Sequence, residues 1–322
     1  MTIETSVLVP LDAEQTFALV TEPERMRRWL AVSARIDLRA GGDFRWTVVP
    51  GGNAGGTVTE VEPGRRVVFT WGWEGNESVP PGSSTVTITL EPVAGGTTVR
   101  LRHDGLSEEQ GNSHLGGWTH FLDRLVEAAR DGDAGFDSWN LPSRTLDLLT
   151  AAESSLALCQ AALRDLTDEE LSAQTPCVKF TVNDLADHLL ESIVHLAAAV
   201  DVTVGPSRSG SLESRIADAG QALLEGWRRH GTEGTVKVGP MELPADLAVR
   251  IIISEFLVHA WDFAQATGRT LPEDDALAVY ALDQIRGVIT PELRDGRFAA
   301  EVVVGSEADP MSRLMAFTGR AA

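Results

Sequence analysis

Cysteine, lysine, net positive charge and long apolar runs are what this chain has least of. Its two cysteines, Cys159 and Cys177, show no Cys-x-x-C spacing, so each is expected to be a buried thiol and not part of a disulfide framework. Lysine supplies 2 of the 27 basic residues, and 47 acidic residues bring the net charge to -20. Such a chain repels phosphate backbones and anionic membrane surfaces, which argues against nucleic acid and membrane as partners. The short basic runs at 25–28 and 228–229 are flanked by Glu or Gly and read as solvated faces. No apolar run approaches the length of a membrane span, and residue 2 opens straight into an alternating pattern with no basic region or cleavage site before it. The expected location is cytoplasmic.

At 322 residues two domains are expected. The charge divides accordingly, with net -5 in residues 1–130 and net -15 in residues 131–322. In the first part residues 2–10 read as a strand, and Asp12 caps a helical stretch whose apolar side is Phe17, Val20 and Trp29. The period then becomes two. Phe44, Trp46 and Val48 share a face, as do Val67, Phe69, Trp71 and Trp73, then Val86, Ile88 and Leu90, then Val99, Leu101 and His103. Arg45, Thr70, Thr87, Thr89, Arg100 and Arg102 take the other face, so the sheet is antiparallel with one wet side. Gly41-Gly42, the run 51–56 and Gly95-Gly96 read as hairpin turns, and none carries the Gly-Lys-Ser/Thr of a phosphate loop. A helix over about 107–130, with Leu115, Trp118, Leu122 and Leu125 at spacings of three and four, closes the domain. A long helix over a curved sheet leaves room for a cavity. Trp46, Trp71, Trp73, His103 and Trp118 are the candidates to line it, although any single Trp at such a position is more often plain core than ligand contact. His103 is either a pocket acid or base or a strand-end imidazole with a structural hydrogen bond. His114 and His120 do not share a helical face.

Several segments of this half resemble the bacterial Aha1-like (SRPBCC) branch of the START/Bet v 1 superfamily. They are Thr21-Glu-Pro-Glu-Arg-Met-Arg-Arg-Trp-Leu30, Gly41-Gly-Asp-Phe-Arg-Trp46, Glu60-Val-Glu-Pro-Gly-Arg-Arg-Val-Val-Phe-Thr-Trp71, Arg100-Leu-Arg-His-Asp-Gly-Leu106 and Gly116-Gly-Trp-Thr-His-Phe-Leu122. The resemblance implies a helix-grip fold with an apolar pocket for a small apolar ligand. It says little about reaction, because one such fold hosts many functions.

Residues 131–142 are polar, carry glycine and lack period, so they are read as a linker, with residues 143–322 as an all-α second domain. Helices are expected at about 144–166 (Leu148, Leu149, Leu156 and Leu163 inward), 181–200, 212–230 and up to Thr267, with a hairpin at 235–243 and a fifth helix at 274–288. Thr181 and Asp184 supply a cap, and Gly268 a stop. The helix ending at Thr267 is apolar nearly all round, yet it carries Glu255 and His259 four residues apart on one face. Buried ionisable groups need partners, and a divalent metal suits a Glu and a His together. His188, on a face with Glu191 and His195, is the candidate third ligand. Glu191, His195 and Asp262 would then be supporting or surface groups. The order Glu-x-x-x-His, and not His-Glu-x-x-His, argues against a zinc protease.

This half also resembles actinobacterial DinB-like metal-binding proteins related to mycothiol-dependent maleylpyruvate isomerase. The resemblance is carried by Leu166-Thr-Asp-Glu-Glu-Leu171, Thr175-Pro-Cys177, Thr181-Val-Asn-Asp-Leu-Ala-Asp-His-Leu189, the stretch from Glu255 to Gly268, and the stretch from Asp309 to Arg320. It implies a metal held by His188, Glu255 and His259, with Phe180 standing where the family usually has Trp. The chain lacks the further domain of the isomerase proper, so maleylpyruvate is not assumed as substrate. The fold class expected is therefore α+β, a helix-grip domain followed by a DinB-like four-helix bundle. The function expected is a zinc- or nickel-dependent enzyme using a low-molecular-weight thiol such as mycothiol in transfer, conjugate addition or isomerisation. The alternative is a non-catalytic ligand- or client-binding protein whose metal is structural or sensory, and a homodimer is left open. Cys177, 11 residues before His188, reads as structural, and Arg320 as an anion binder or a tail-closing salt bridge.

Overall fold

The computed structural model describes residues 1–141, 146–205, 210–294, 298–305 and 307–320, in two compact units, Met1–Ser138 and Trp139–Ala322. Among the described residues no helix is long and apolar enough to cross a membrane.

The first unit runs β1 (Thr2–Val9), α1 (Ala13–Thr21), α2 (Pro23–Met26), β2 (Ser33–Ile36), β3 (Asp43–Val49), β4 (Gly52–Glu62), β5 (Arg66–Trp71), β6 (Ser84–Val93), β7 (Gly96–Asp104) and α3 (Glu108–Asp131). The strands form one antiparallel sheet in the order β1-β7-β6-β5-β4-β3-β2. Helix α3 packs against β1 and α1. A reciprocal capping box of Ser107 and Gln110 opens it, and Gly132 at φ 85° closes it. Its buried side is Gly111, Trp118, Phe121, Leu122, Leu125 and Ala128, while Leu115 is exposed, contrary to its place in the expected stripe.

Four further expectations for this unit are corrected. Trp29 lies beyond α1, because Glu22 takes an extended conformation ahead of Pro23 and restarts the helix; its indole instead ties back to the Leu19 carbonyl at 2.9 Å. Strand β2, too short to show a period, was not expected at all. The glycine run 51–56 is a turn only at its start, and Gly52 to Gly56 belong to β4. In register, Phe44 faces Gly56 and Trp46 faces Ala54. A Cβ on Gly56 would sit 2.0 Å from the Thr70 carbonyl oxygen and 3.0 Å from the Phe44 ring. The small residues of β4 are thus what lets two large aromatics lie across the sheet. Finally, Arg45 is not on a wet face: it is 7% exposed and grips Glu74 with Nε and Nη2 at 2.7 and 2.8 Å.

Residues 132–138 are not a free linker, because cationic groups of the first unit gather them in. Arg28 pairs with Asp133 at 2.9 Å, His120 with Asp137 at 2.8 Å, and Arg124 donates to the Ala134 and Gly135 carbonyls. The expected domain start at 143 lies outside the described residues.

The second unit comprises α4 (Leu148–Leu163), α5 (Asp168–Leu171), α6 (Val182–Ala198), α7 (Leu212–His230), the hairpin β8 (Thr235–Val238) and β9 (Met241–Pro244), α8 (Ala245–Thr267), α9 (Asp275–Arg286) and α10 (Pro310–Phe317). Residue 144, where the first of these helices was expected to begin, also lies outside the described residues; Asp147 caps α4 instead, and Leu148 and Leu149 are only half-buried. In the bundle α4 neighbours α7 and α8, and so does α6, so α4 and α6 stand at opposite corners. This arrangement sets α6 directly beside α8. Thr181 and Asp184 form a reciprocal cap on α6, whose buried side is Val182, Leu185, Ala186, Leu189, Ile193, Leu196 and Ala197. Gly268 ends α8 in the left-handed conformation at φ 66°. The protein is thus α+β, a seven-stranded sheet with its long helix followed by a helical bundle.

Candidate metal centre

Three side chains from two neighbouring helices meet at one edge of the bundle. His188 comes from α6, Glu255 and His259 from successive turns of α8, and one donor atom from each lies within 4.8 Å of the other two. Glu255 Oε2 stands 3.9 Å from His188 Nε2 and 3.8 Å from His259 Nε2, too far for a hydrogen bond to either. That oxygen is buried and finds no hydrogen-bond partner among the described residues. Side-chain exposure falls from 40% at His188 through 22% at Glu255 to 10% at His259, so the cluster opens to solvent on the His188 side.

Protonation is set from behind. His259 Nδ1 lies 3.1 Å from Asp262 Oδ2 on the next turn of α8, and the carboxylate side chain is fully buried. Arg320 holds the same carboxylate with Nε on Oδ1 at 2.7 Å and Nη2 on Oδ2 at 2.6 Å. Burial pushes the Asp262 carboxyl up, but the hydrogen bonds from Arg320 and His259 and their charge outweigh it and leave it below the usual carboxylate range. An ionised Asp262 accepts a hydrogen bond from His259 Nδ1–H, which leaves Nε2, 3.8 Å from Glu255 Oε2, as the ring nitrogen available to a metal. Acceptors that face one another repel unless a cation sits between them. The donor set therefore fits a divalent metal: two imidazoles and a carboxylate, one of its oxygens unpaired.

The residues preceding α6 hold the exposed ligand. The carbonyl of Phe180 accepts from Thr175 N, Thr175 Oγ1 and Gln174 Nε2 at 3.1, 2.8 and 2.8 Å. With its backbone held in this way, the Phe180 ring lies over the His188 ring at 5.3 Å and 12°, and His188 meets His259 edge-on at 5.6 Å. An aromatic at 180 thus has a definite task. Cys177, in the same loop, lies within electrostatic reach of Asp262 and Arg320; burial first and Asp262 second push its thiol up, against Arg320 and Lys179. It is a thiol and not a ready thiolate.

The remaining candidates are placed elsewhere. Glu191 and His195 are exposed and line a groove of about 500 Å³ with Arg215, Asp218 and Ala219 of α7, which contains none of the three donors. In the first unit Trp46, Trp71 and Trp118 are at most 5% exposed and pack ring on ring, Trp46 to Trp71 at 5.7 Å and Trp71 to Trp118 at 5.4 Å. Trp73 lies beyond the end of β5, half-buried, and donates to His114 Nε2 at 3.1 Å. Among the described residues the buried indole N–H groups of Trp46 and Trp71 meet no acceptor.

His103 is fully buried and fully engaged. The Trp118 indole can only donate, and does so to His103 Nδ1 at 3.1 Å. Nε2 therefore carries the proton and donates to Ser84 Oγ at 2.8 Å, and the Ser84 hydroxyl donates to the Trp71 carbonyl at 3.1 Å. Burial, with a contribution from His114, lowers the imidazole to about 4. Its role is that of a neutral structural link, with no lone pair left for acid–base chemistry. Sequence reasoning missed this chain, because Ser84, His103 and Trp118 come from three elements. It also left Arg320 undecided between an anion binder and a tail-closing salt bridge, since its partner Asp262 is 58 residues away.

Residues 10–130 match the family described as activator of Hsp90 ATPase homolog 1-like protein, and residues 149–264 match the mycothiol maleylpyruvate isomerase N-terminal domain. An uncharacterized Mycobacterium tuberculosis protein, Rv0738, is 30% identical over 181 residues, which is 54% of this chain and 98% of that protein. Among solved structures, an AHSA1-like protein from Rhizobium etli is 35% identical and covers 46% of this chain and 91% of its own, with a TM-score of 0.36. CalU16 from Micromonospora echinospora is 28% identical over 41% of this chain and 77% of its own, with a TM-score of 0.35.

Proposed function

Because the chain belongs to two families in tandem, AHSA1-like proteins in residues 10–130 and mycothiol maleylpyruvate isomerase N-terminal domains in residues 149–264, we propose that its second unit is a divalent-metal centre that uses a low-molecular-weight thiol of the mycothiol type. The reaction class is thiol transfer, conjugate addition or thiol-assisted isomerisation. The observation that carries this reading is the buried, unpaired Glu255 Oε2 facing two imidazole nitrogens. His188, Glu255 and His259 would hold the ion, zinc or nickel. Its positive charge, when bound, makes a thiolate available at neutral pH. The chain's own residues do the rest. Asp262 keeps the Nδ1 proton of His259 in place, the Phe180 ring limits rotation of His188, and the exposed His188 side leaves an entrance for a small thiol.

A structural metal would call for a fourth protein ligand. Both Asp262 oxygens are already taken by Arg320 and His259, and His195 lies on the groove with α7. Three ligands with open positions therefore suit an enzyme better than a structural or sensory site. For the first unit we propose an apolar ligand that carries a hydrogen-bond acceptor, since the Trp46 and Trp71 N–H groups lack one among the described residues.

The test is metal content by mass spectrometry of protein purified without chelator or His-tag, for wild type, His188→Ala and His259→Ala. About one zinc or nickel per chain in wild type, lost from variants with wild-type circular dichroism, supports the reading. A cobalt-loaded wild type should then change its visible spectrum on adding a thiol. No metal in wild type after reconstitution overturns it.

A further inference from the structure

Arg320 touches none of the three donor atoms, yet its position decides how one of them is held. Asp262 is held by Arg320 through both carboxylate oxygens and by His259 through one. A two-point grip fixes the plane of a carboxylate as well as its charge. The guanidinium is itself held, since Arg320 Nη1 donates to Thr318 Oγ1 at 3.3 Å and the Arg320 backbone N–H to the Met315 carbonyl at 3.0 Å. A salt bridge that merely fastened α10 would be the plainer account. Helix α10 is fastened without it, however. The Phe317 ring lies between the guanidinium groups of Arg286 and Arg294 at 5.4 and 4.8 Å, Arg294 donates to the Phe317 carbonyl at 2.8 Å, and Val302 N–H donates to the Ala316 carbonyl at 2.9 Å.

We propose that Arg320 is a positioning residue of the metal centre, so that docking of the segment after α10 and metal binding on α6 and α8 strengthen each other; this rests on the metal reading above. Without the guanidinium, a fully buried carboxylate keeps only the His259 imidazole as partner. The plane of that carboxylate is then free to turn about its single remaining contact, and the His259 ring loses the fixed acceptor that keeps Nε2 directed toward Glu255 and the metal position. Reciprocity follows from linkage: whatever factor the grip adds to metal affinity, the metal adds to the docking.

The experiment measures zinc affinity by competition with a chromophoric chelator for wild type, Arg320→Met and Arg320→Lys, with circular dichroism as the folding control. Removing a partner that orients a metal-bound His weakens binding by about 10–100-fold. Arg320→Met, one step further out, should fall near the lower end, and Arg320→Lys should recover part of the loss through charge without the two-point grip. A second readout needs no variant: amide hydrogen exchange at 314–317 in wild type should slow when zinc is added. Equal zinc affinity for a folded Arg320→Met variant overturns the proposal. If that variant does not fold, unchanged exchange at 314–317 on zinc binding overturns it. A wild type that takes up no zinc brings down the metal reading and this inference together, whereas zinc-binding wild type with an unaffected variant brings down this inference alone.

Discussion

Acid should destabilise the first unit through His103. The imidazole is enclosed between Trp118 and Ser84 and titrates at about 4, against 6.5 for an unperturbed histidine. Above pH 6.5 both folded and unfolded chains hold it neutral, so it contributes no pH dependence there. Between 6.5 and 4 the unfolded chain binds a proton that the folded chain refuses, and stability falls with pH; below 4 the effect is complete. A depression of this size corresponds to about 3 kcal/mol, most of it already lost by pH 4.5. At an m-value of about 1–3 kcal/mol/M this moves the urea midpoint by roughly 1–3 M. Carboxylates add their own slopes, so the comparison is with His103→Gln, whose amide can still donate toward Ser84 but does not titrate. Urea unfolding followed by tryptophan fluorescence, at half-unit steps from pH 7.5 to 4.5, should give a steeper loss for wild type than for the variant. Parallel losses, or an imidazole that titrates above pH 5.5 by NMR in the folded protein, would refute the reasoning.

In the second unit Glu153 is 1% exposed and is gripped by Arg228 Nε and Nη2, both at 2.7 Å. Glu153→Ala should destabilise the unit in urea unfolding, by less than the about 3–5 kcal/mol of a fully buried pair because the Arg228 side chain keeps 23% exposure, whereas replacing both residues by apolar ones of similar volume should cost less still. Cys177, its thiol pushed up by burial and Asp262, should react with an aromatic disulfide at pH 7 more slowly than a free thiol does; the Cys159→Ser background isolates its signal. Cys177→Ser should leave the metal content of the second unit unchanged, and a loss of metal would make the thiol a ligand.

What the sequence made legible follows the range over which each interaction acts. The i,i+4 pair Glu255 and His259 needed only helical geometry, and the capping residues Thr181, Asp184 and Gly268 needed only their neighbours, so all were readable in place. Strands β6 and β7 were readable because the sheet buries one side there, and β3 and β5 because their large apolar residues still alternate in sequence. Strand β4 was not, because its glycines are selected by Phe44 and Trp46 across the sheet, and a local rule for glycine assigns them to a turn. His188 shows the limit more sharply. Its helical spacing to Glu191 and His195 is as regular as that of Glu255 to His259, yet Glu191 and His195 are turned to the groove with α7. Which of three evenly spaced residues meets another helix depends on the rotation of α6 against α8, which the apolar side around Leu185, Leu189, Ile193 and Leu196 sets. His188 sits at the border of that side, half-exposed; it could be named as the candidate third ligand, but spacing alone did not separate it from Glu191 and His195. Arg320 lies beyond both kinds of reading. It is 58 residues from Asp262, and nothing local distinguishes an arginine that seats a buried carboxylate from one that meets solvent. The site is thus assembled from a pair written into one helix, a ligand chosen by how two helices pack, and a guanidinium brought in by a segment remote in the chain. Substitutions should become harder to foresee from sequence in that same order.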